Sequence, residues 1–275
     1  MRCWNAQHSR FSCNWPERRL SPPVDTYQRA APLTETHDKL AIRLTDVTLE
    51  LGAKRLFDGL SLHLNSPRVA VIGRNGAGKS QLARLVCGLT APDSGAVTVS
   101  GVDVAKDRKA AIGTVGILFQ NPDHQIIFPT VTEEMAFGLT QQGHARAEAA
   151  NRVTDLLARF DRSHWAARAV HTLSQGQRHL VCLMSVLLME PRVIVLDEPF
   201  AGLDMATVLR LTRYLDALPQ MLVHITHDLD SIAGYDRVIW VDGGAVQADG
   251  SPEQVLMQYR NAMAALGVRD DFADL

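Results

Sequence analysis

From Leu40 onward, apolar and polar residues alternate: Ile42 and Leu44, then Val47, Leu49 and Leu51, with the phase slipping at Thr45-Asp46. Leu60, Leu62 and Leu64 repeat the alternation. A period of two with one apolar face predicts half-buried antiparallel strands. The pattern then changes. "RVAVIG" (Arg68 to Gly73) is a continuous β-branched run, as expected of a strand buried on both faces. "TVGILFQ", "RVIVLDEP" and "MLVHITH" are runs of the same kind. Between them apolar residues recur at helical spacing, in Leu82, Leu85, Val86 and Leu89 and in Val153, Leu156, Leu157 and Phe160. Strands alternating with helices predict an α/β fold on a parallel sheet. "RVIWVDGGAVQADG" predicts a hairpin turning at Gly243-Gly244. Ser251-Pro252-Glu253-Gln254 then reads as a capping box that starts a last helix, with Val255, Leu256, Tyr259 and Met263 on one face.

Residues 1–39 carry no such periodicity. They hold Arg2, Arg10, Arg18, Arg19 and Arg29 and several prolines, without the continuous apolar centre of a signal peptide. Two readings are open, a disordered tail or upstream sequence not normally translated. The fold is expected to occupy residues 40–275. The longest apolar run, Val181 to Met189, is far short of the roughly 20 residues that span a bilayer.

Composition narrows the classes. Apolar residues make up 46% and charged residues 21%, as in a globular protein with a substantial core. Lys plus Arg (28) nearly balances Asp plus Glu (30), so the positive field of a dedicated nucleic-acid binder is missing. The 4 cysteines are too few and too scattered for a disulfide framework. A reducing cytoplasm is the expected setting.

The strand–loop–helix context gives one motif its meaning. "GRNGAGKS" comprises Gly73, Arg74, Asn75, Gly76, Ala77, Gly78, Lys79 and Ser80, with Gln81 following, and fits G-x-x-x-x-G-K-[ST]. Its glycines let backbone N–H groups wrap a phosphate chain, Lys79 can reach the β- and γ-phosphates, and Ser80 can ligate Mg²⁺. In "VIVLDEP" an apolar strand ends in two acids, where α/β sheets place ligands. Asp197 is the candidate metal ligand and Glu198 the candidate for polarising water. In "LSQGQR", Ser174 sits at a predicted helix start, which attracts an anion, and Gly176 permits close approach. A plain Ser N-cap explains Ser174 equally well.

Taken in order, the phosphate loop, Gln120 after a strand, "LSQGQ", "LDEP", "AGLD" (Ala201 to Asp204) and "ITHD" (Ile225 to Asp228) resemble an ATP-binding-cassette (ABC) ATPase over roughly Leu40 to Gln258. The resemblance implies a P-loop NTPase fold with an antiparallel β subdomain and a small helical subdomain at about 121–175. It also implies a head-to-tail pair of ATPase subunits with ATP and Mg²⁺ between them. Ser174 and Gly176 would then meet the γ-phosphate held by the partner, Asp204 would cross the interface, and His227 would hydrogen-bond the γ-phosphate. Gln120 would reach the Mg²⁺ or the attacking water. Two positions depart from the family: Leu51 stands about where an adenine-stacking aromatic is usual, and Gln175 replaces a small residue.

"QNPDHQ", "PTVTEEMAFG" and "DEPFAGLD" further resemble the ATPases of energy-coupling-factor (ECF) importers, which take up vitamins or transition-metal ions. The short C-terminal region is similar to the single-domain ATPases of biotin importers, with cobalt or nickel importers close behind. The implied partners are a second ATPase subunit, a polytopic transmembrane coupling subunit and a substrate-binding membrane subunit, at the cytoplasmic face of the cell membrane. A cassette acting on DNA or ribosomes is the rival class. DNA-repair members insert long coiled coils where only about fifty residues separate Gln120 from "LSQGQ" here. Ile126, Ile127 and Phe128 form an apolar loop cluster, which predicts a partner surface or, as the alternative, packing into the small helical subdomain, and "TVTEE" (Thr130 to Glu134) predicts a helix cap.

Overall fold

A computed structural model describes residues 40–267; the expectations for residues 1–39 fall outside it. Among the described residues, β1 (Ile42–Leu51) and β2 (Lys54–Leu64) form a hairpin, joined by β4 (Ser94–Val99) and β5 (Val102–Asp103) in an antiparallel sheet of order β2-β1-β4-β5. The phase slip at Thr45-Asp46 is a bulge. The β1–β2 register shifts between Leu44 and Val47, and Asp46 takes a left-handed φ of 49°. Ser61 holds the bulge, its hydroxyl accepting from the Asp46 N–H at 2.9 Å. The extra residue returns Val47 and Leu49 to the face that buries Ile42 and Leu44.

The second sheet runs β10-β9-β3-β8-β7-β6, from β3 (Arg68–Ile72), β6 (Val115–Leu118), β7 (Val193–Asp197), β8 (Met221–Ile225), β9 (Arg237–Asp242) and β10 (Ala245–Gly250). It is parallel except for β10, the antiparallel arm of the hairpin at Gly243-Gly244. The strand leading to Gln120 is therefore an edge, not an inner strand; among the described residues its sheet neighbour is β7 alone. The sheet is covered on both faces, so its strands lack polar alternation. Val69 and Val71 pack toward the antiparallel sheet and α1 (Lys79–Val86). Ala70 and Ile72 face the other way, against α7 (Pro252–Gly267).

A separate helical core covers β6 and β7, built by α3 (Val131–Gln141), α4 (Arg146–Arg159), α5 (Gln175–Leu188) and α6 (Met205–Asp216). α3 starts at the predicted cap, with Thr130 accepting from the Glu133 N–H. Leu89 is not part of the predicted helical stripe: α1 ends at Val86, and Leu89 is exposed. α2 (Arg108–Thr114) and β4–β5 fall where the periodicity had given no signal. Arg68 fastens the far side of the sheet to α6. Its guanidinium donates to the carbonyls of Leu215, Asp216, Leu218 and Gln220, at the C-terminal end of that helix and its turn.

Candidate nucleotide site

The phosphate loop leaves β3 at Gly73, and its shape needs glycine where neighbours crowd it. At Gly73 (φ 154°) a Cβ would collide with the Val241 carbonyl, so the β9 end roofs the loop. At Gly78 (φ 103°) a Cβ would press on the Phe57 ring of β2. Gly78 is also the N-cap of α1, and it offers no side chain to the first-turn N–H groups. That end of the helix is free to face an anion. Lys79 folds back over the loop, its ammonium donating to the carbonyls of Gly73 at 2.7 Å and Arg74 at 2.9 Å. Burial lowers its pKa, opposed by the charges of Glu198, Asp197 and Asp242. Arg74 lies 3.4 Å from Asp242, Asn75 is exposed, and Gln81 is half-buried behind Ser80.

The two acids of β7 differ sharply. Asp197 is buried, which raises its pKa, while the Ser80 hydroxyl beside it pulls the pKa back down. Among the described residues no three His, Cys, Asp or Glu side chains converge on one point. A hydroxyl and a single carboxylate, both hard oxygen donors, fit Mg²⁺, which keeps most of its shell for phosphate and water. Glu198 has left the strand geometry at φ 52°, a conformation a non-glycine residue adopts at a cost of about 1 kcal/mol or more. Its carboxylate accepts from the Thr226 hydroxyl at 3.2 Å, the His227 N–H at 3.0 Å and His227 Nδ1 at 2.7 Å. Three contacts from one segment thus fix the direction of this carboxylate. Thr226 carried no signal in the sequence, because its role depends on β8 pairing with β7. The β6–β7 register, Leu118 opposite Leu196, carries exposed Gln120 toward the end where Asp197 and Glu198 emerge.

The N-terminal end of α5 is built otherwise. Ser174 caps α5 in a closed capping box: its hydroxyl accepts from the Gln177 N–H, and the Gln177 side chain accepts from the Ser174 N–H at 3.0 Å. Gly176 is required by protein packing, since a Cβ there would strike the Gly202 carbonyl of the "AGLD" loop. Close approach is needed, but its partner within this chain is backbone, not a phosphate. Asp204 is the N-cap of α6, accepting from Thr207 N and Oγ1 at 2.9 and 2.8 Å, and those bonds lower its pKa. Leu51, at the exposed end of β1, is 44% exposed.

The apolar loop cluster is divided. Ile127 is 70% exposed, Ile126 packs on the helical core, and Phe128 lies against Phe137 with ring centroids 5.0 Å apart. Buried Glu134 clamps this loop, accepting from the N–H groups of Ile127 and Phe128 at 2.8 Å each. Ile127, Leu89 and Ile112, three exposed large apolar residues, line one groove of about 420 Å³ that runs past Phe119 and Gln125.

The ABC transporter family model matches residues 57–201. The biotin transport ATP-binding protein BioM of Rhodobacter capsulatus is 52% identical over 226 residues, covering 82% of this chain and 97% of that protein. The cobalt import ATP-binding protein CbiO of Syntrophus aciditrophicus is 37% identical, covering 74% of this chain and 75% of its own length. Among solved structures, cbiO1 of Clostridium perfringens, part of the ABC transporter complex cbiONQ, superposes with a TM-score of 0.66 at 28% identity. That match covers 83% of this chain and 95% of the other.

Proposed function

The chain belongs to the ABC transporter ATPase family, and from that premise we propose that it energises an ECF-type importer of a vitamin, with biotin as the favoured substrate. The observation that carries the substrate is the 52% identity to the biotin transport protein across 97% of its length. The importer reading also draws on the groove beside the Gln120 loop, where Ile127, Leu89 and Ile112 expose apolar surface to a partner. A short helix of a transmembrane coupling subunit is the occupant we assign to it, with a substrate-binding membrane subunit completing the complex at the cytoplasmic face of the membrane. No helix among the described residues is long and apolar enough to cross a membrane, so membrane attachment would come through such partners.

The chemistry is ATP hydrolysis. Gly73–Ser80 and the α1 end hold the phosphate chain, and Lys79 turns from the loop carbonyls toward the β- and γ-phosphates. Ser80, Asp197 and Gln120 would hold Mg²⁺, which would supply charge neutralisation for the phosphates. Glu198 accepts a proton from the attacking water, and His227, released from Glu198, donates to the γ-phosphate. The second site half comes from a second ATPase subunit, this chain or a related one. Ser174 and Gly176 meet its γ-phosphate, Asp204 crosses the interface, and residues of about 121–175 move as a small helical lever.

Uptake assays test the reading. A strain lacking this gene should lose accumulation of labelled biotin at nanomolar supply, and the wild-type chain should restore it. Loss of cobalt or nickel accumulation with biotin uptake intact would favour the metal-importer alternative instead, which the 37% identical cobalt import protein supports. Ile127→Asp, at an exposed groove position, should leave basal ATPase within about twofold while removing uptake and co-purification of membrane subunits. Normal assembly of that variant would move the docking surface elsewhere.

A further inference from the structure

Arg178 lies in the first turn of α5, and its guanidinium reaches in two directions. Nη1 donates to the Leu173 carbonyl at 3.0 Å, immediately ahead of Ser174. Nε stands 3.2 Å from Asp123 Oδ1, three residues beyond Gln120, an ion pair held by charge and proximity, since the buried Nε–H is not aligned for a hydrogen bond. The Asp123 N–H is itself fixed by Asn121 Oδ1 at 3.0 Å. Gln125 forms a second strut. Its Oε1 accepts from the Phe119 N–H at 3.2 Å, and its Nε2 donates to the Cys182 carbonyl of α5 at 3.4 Å. The chain on both sides of Gln120 is thereby fastened to the helix whose N-terminal end carries Ser174.

We propose that Arg178 is a positioning residue that couples the two nucleotide sites of a dimer. By joining Asp123 to Leu173, it makes the Gln120 loop at one ATP and the Ser174 end offered to the other ATP move as one body. The inference rests on the head-to-tail reading above. Its contacts are protein oxygens, so it acts through Gln120 and Ser174 and not on the phosphates. A role in folding stability alone is a weak explanation. The Asp123 side chain is 63% exposed and that of Arg178 23% exposed, and a pair with so exposed a partner adds little to stability. A fixed relation between two groups that must reach separate phosphates has a larger consequence, because transition-state geometry depends on it steeply.

The test uses the full chain, with Arg178→Gln and Asp123→Asn made singly. Equilibrium binding of ATP to the single chain should stay within about twofold in both, and the melting temperature of Asp123→Asn, whose side chain is exposed, should barely move. In a Glu198→Gln background, ATP-driven dimerisation measured by sedimentation should weaken on the order of tenfold. In the hydrolysing background kcat should fall on the order of tenfold with KM little changed. Asp123→Glu, which keeps the carboxylate, should recover most of both. Unchanged dimerisation and kcat in Asp123→Asn, while Glu198→Gln alone still dimerises in ATP, would overturn the proposal and leave the head-to-tail reading standing. An Asp123→Glu chain as impaired as Asp123→Asn would overturn it too. Failure of Glu198→Gln itself to dimerise in ATP would overturn both.

Discussion

Two helix ends in this molecule can attract a phosphate, and they are built in opposite ways. At α1 the N-cap is Gly78, without a capping side chain, and the preceding loop is walled by Val241, Phe57 and its own lysine. At α5 the N-cap is Ser174, closed on itself by a reciprocal capping box with Gln177. The first end has its N–H groups unclaimed and its shape imposed by long-range packing. The second has two of its N–H groups already satisfied and its shape imposed locally. An open end can bind a phosphate by itself. A capped end keeps its form without one, which suits a surface that meets a phosphate held by another molecule.

Removing the cation from the open end should have the largest effect on this contrast. Lys79→Ala should weaken ATP binding to the single chain on the order of 100-fold, about 3 kcal/mol, read by equilibrium titration. Retained affinity would mean that the α1 N–H groups suffice. Next comes Gly73→Ala. The Val241 carbonyl leaves no room for a methyl group, so denaturant unfolding should show a loss of about 2 kcal/mol, with ATP affinity falling alongside it. Ser174→Ala should sharpen the comparison from the other side. It should cost about 1 kcal/mol of stability through loss of the cap and leave single-chain ATP affinity unchanged, while lowering kcat. Weakened binding to the single chain would show that this end serves the same ATP as Lys79. Gly76→Ala should be mildest. Space there is open, so only the strain of φ 79° remains, about 1 kcal/mol, read as a small drop in melting temperature.

What was legible in the sequence follows the same division. The Thr130 and Ser174 helix caps, the Gly243-Gly244 turn and the Thr45-Asp46 phase slip are local devices, readable from a few adjacent residues. So is the phosphate loop, because its glycines and lysine act at fixed spacing. The Glu198 aiming contacts were half visible: His227 came with the family resemblance, but Thr226 acquires its role only when β8 lies beside β7. Gly176 also has a packing role that only the fold shows, its missing Cβ making room for the Gly202 carbonyl. Arg178 gave no hint, since its partner Asp123 is remote in sequence. The edge position of β6 was likewise hidden, because a strand covered by helices on its faces looks apolar whether or not both neighbours are present.

The strand order has a consequence for how the protein is made. β3, which carries the phosphate loop, pairs with β8 on one side and β9 on the other, both from the last quarter of the chain. While the ribosome is still working through the helical region, β3 lacks both of its sheet neighbours, and the Val241 carbonyl that roofs Gly73 does not yet exist. The loop therefore reaches its nucleotide-binding shape only near the end of synthesis, after the helical core has had time to collapse. A product ending before β9 would carry the glycine loop without the strand end that roofs Gly73.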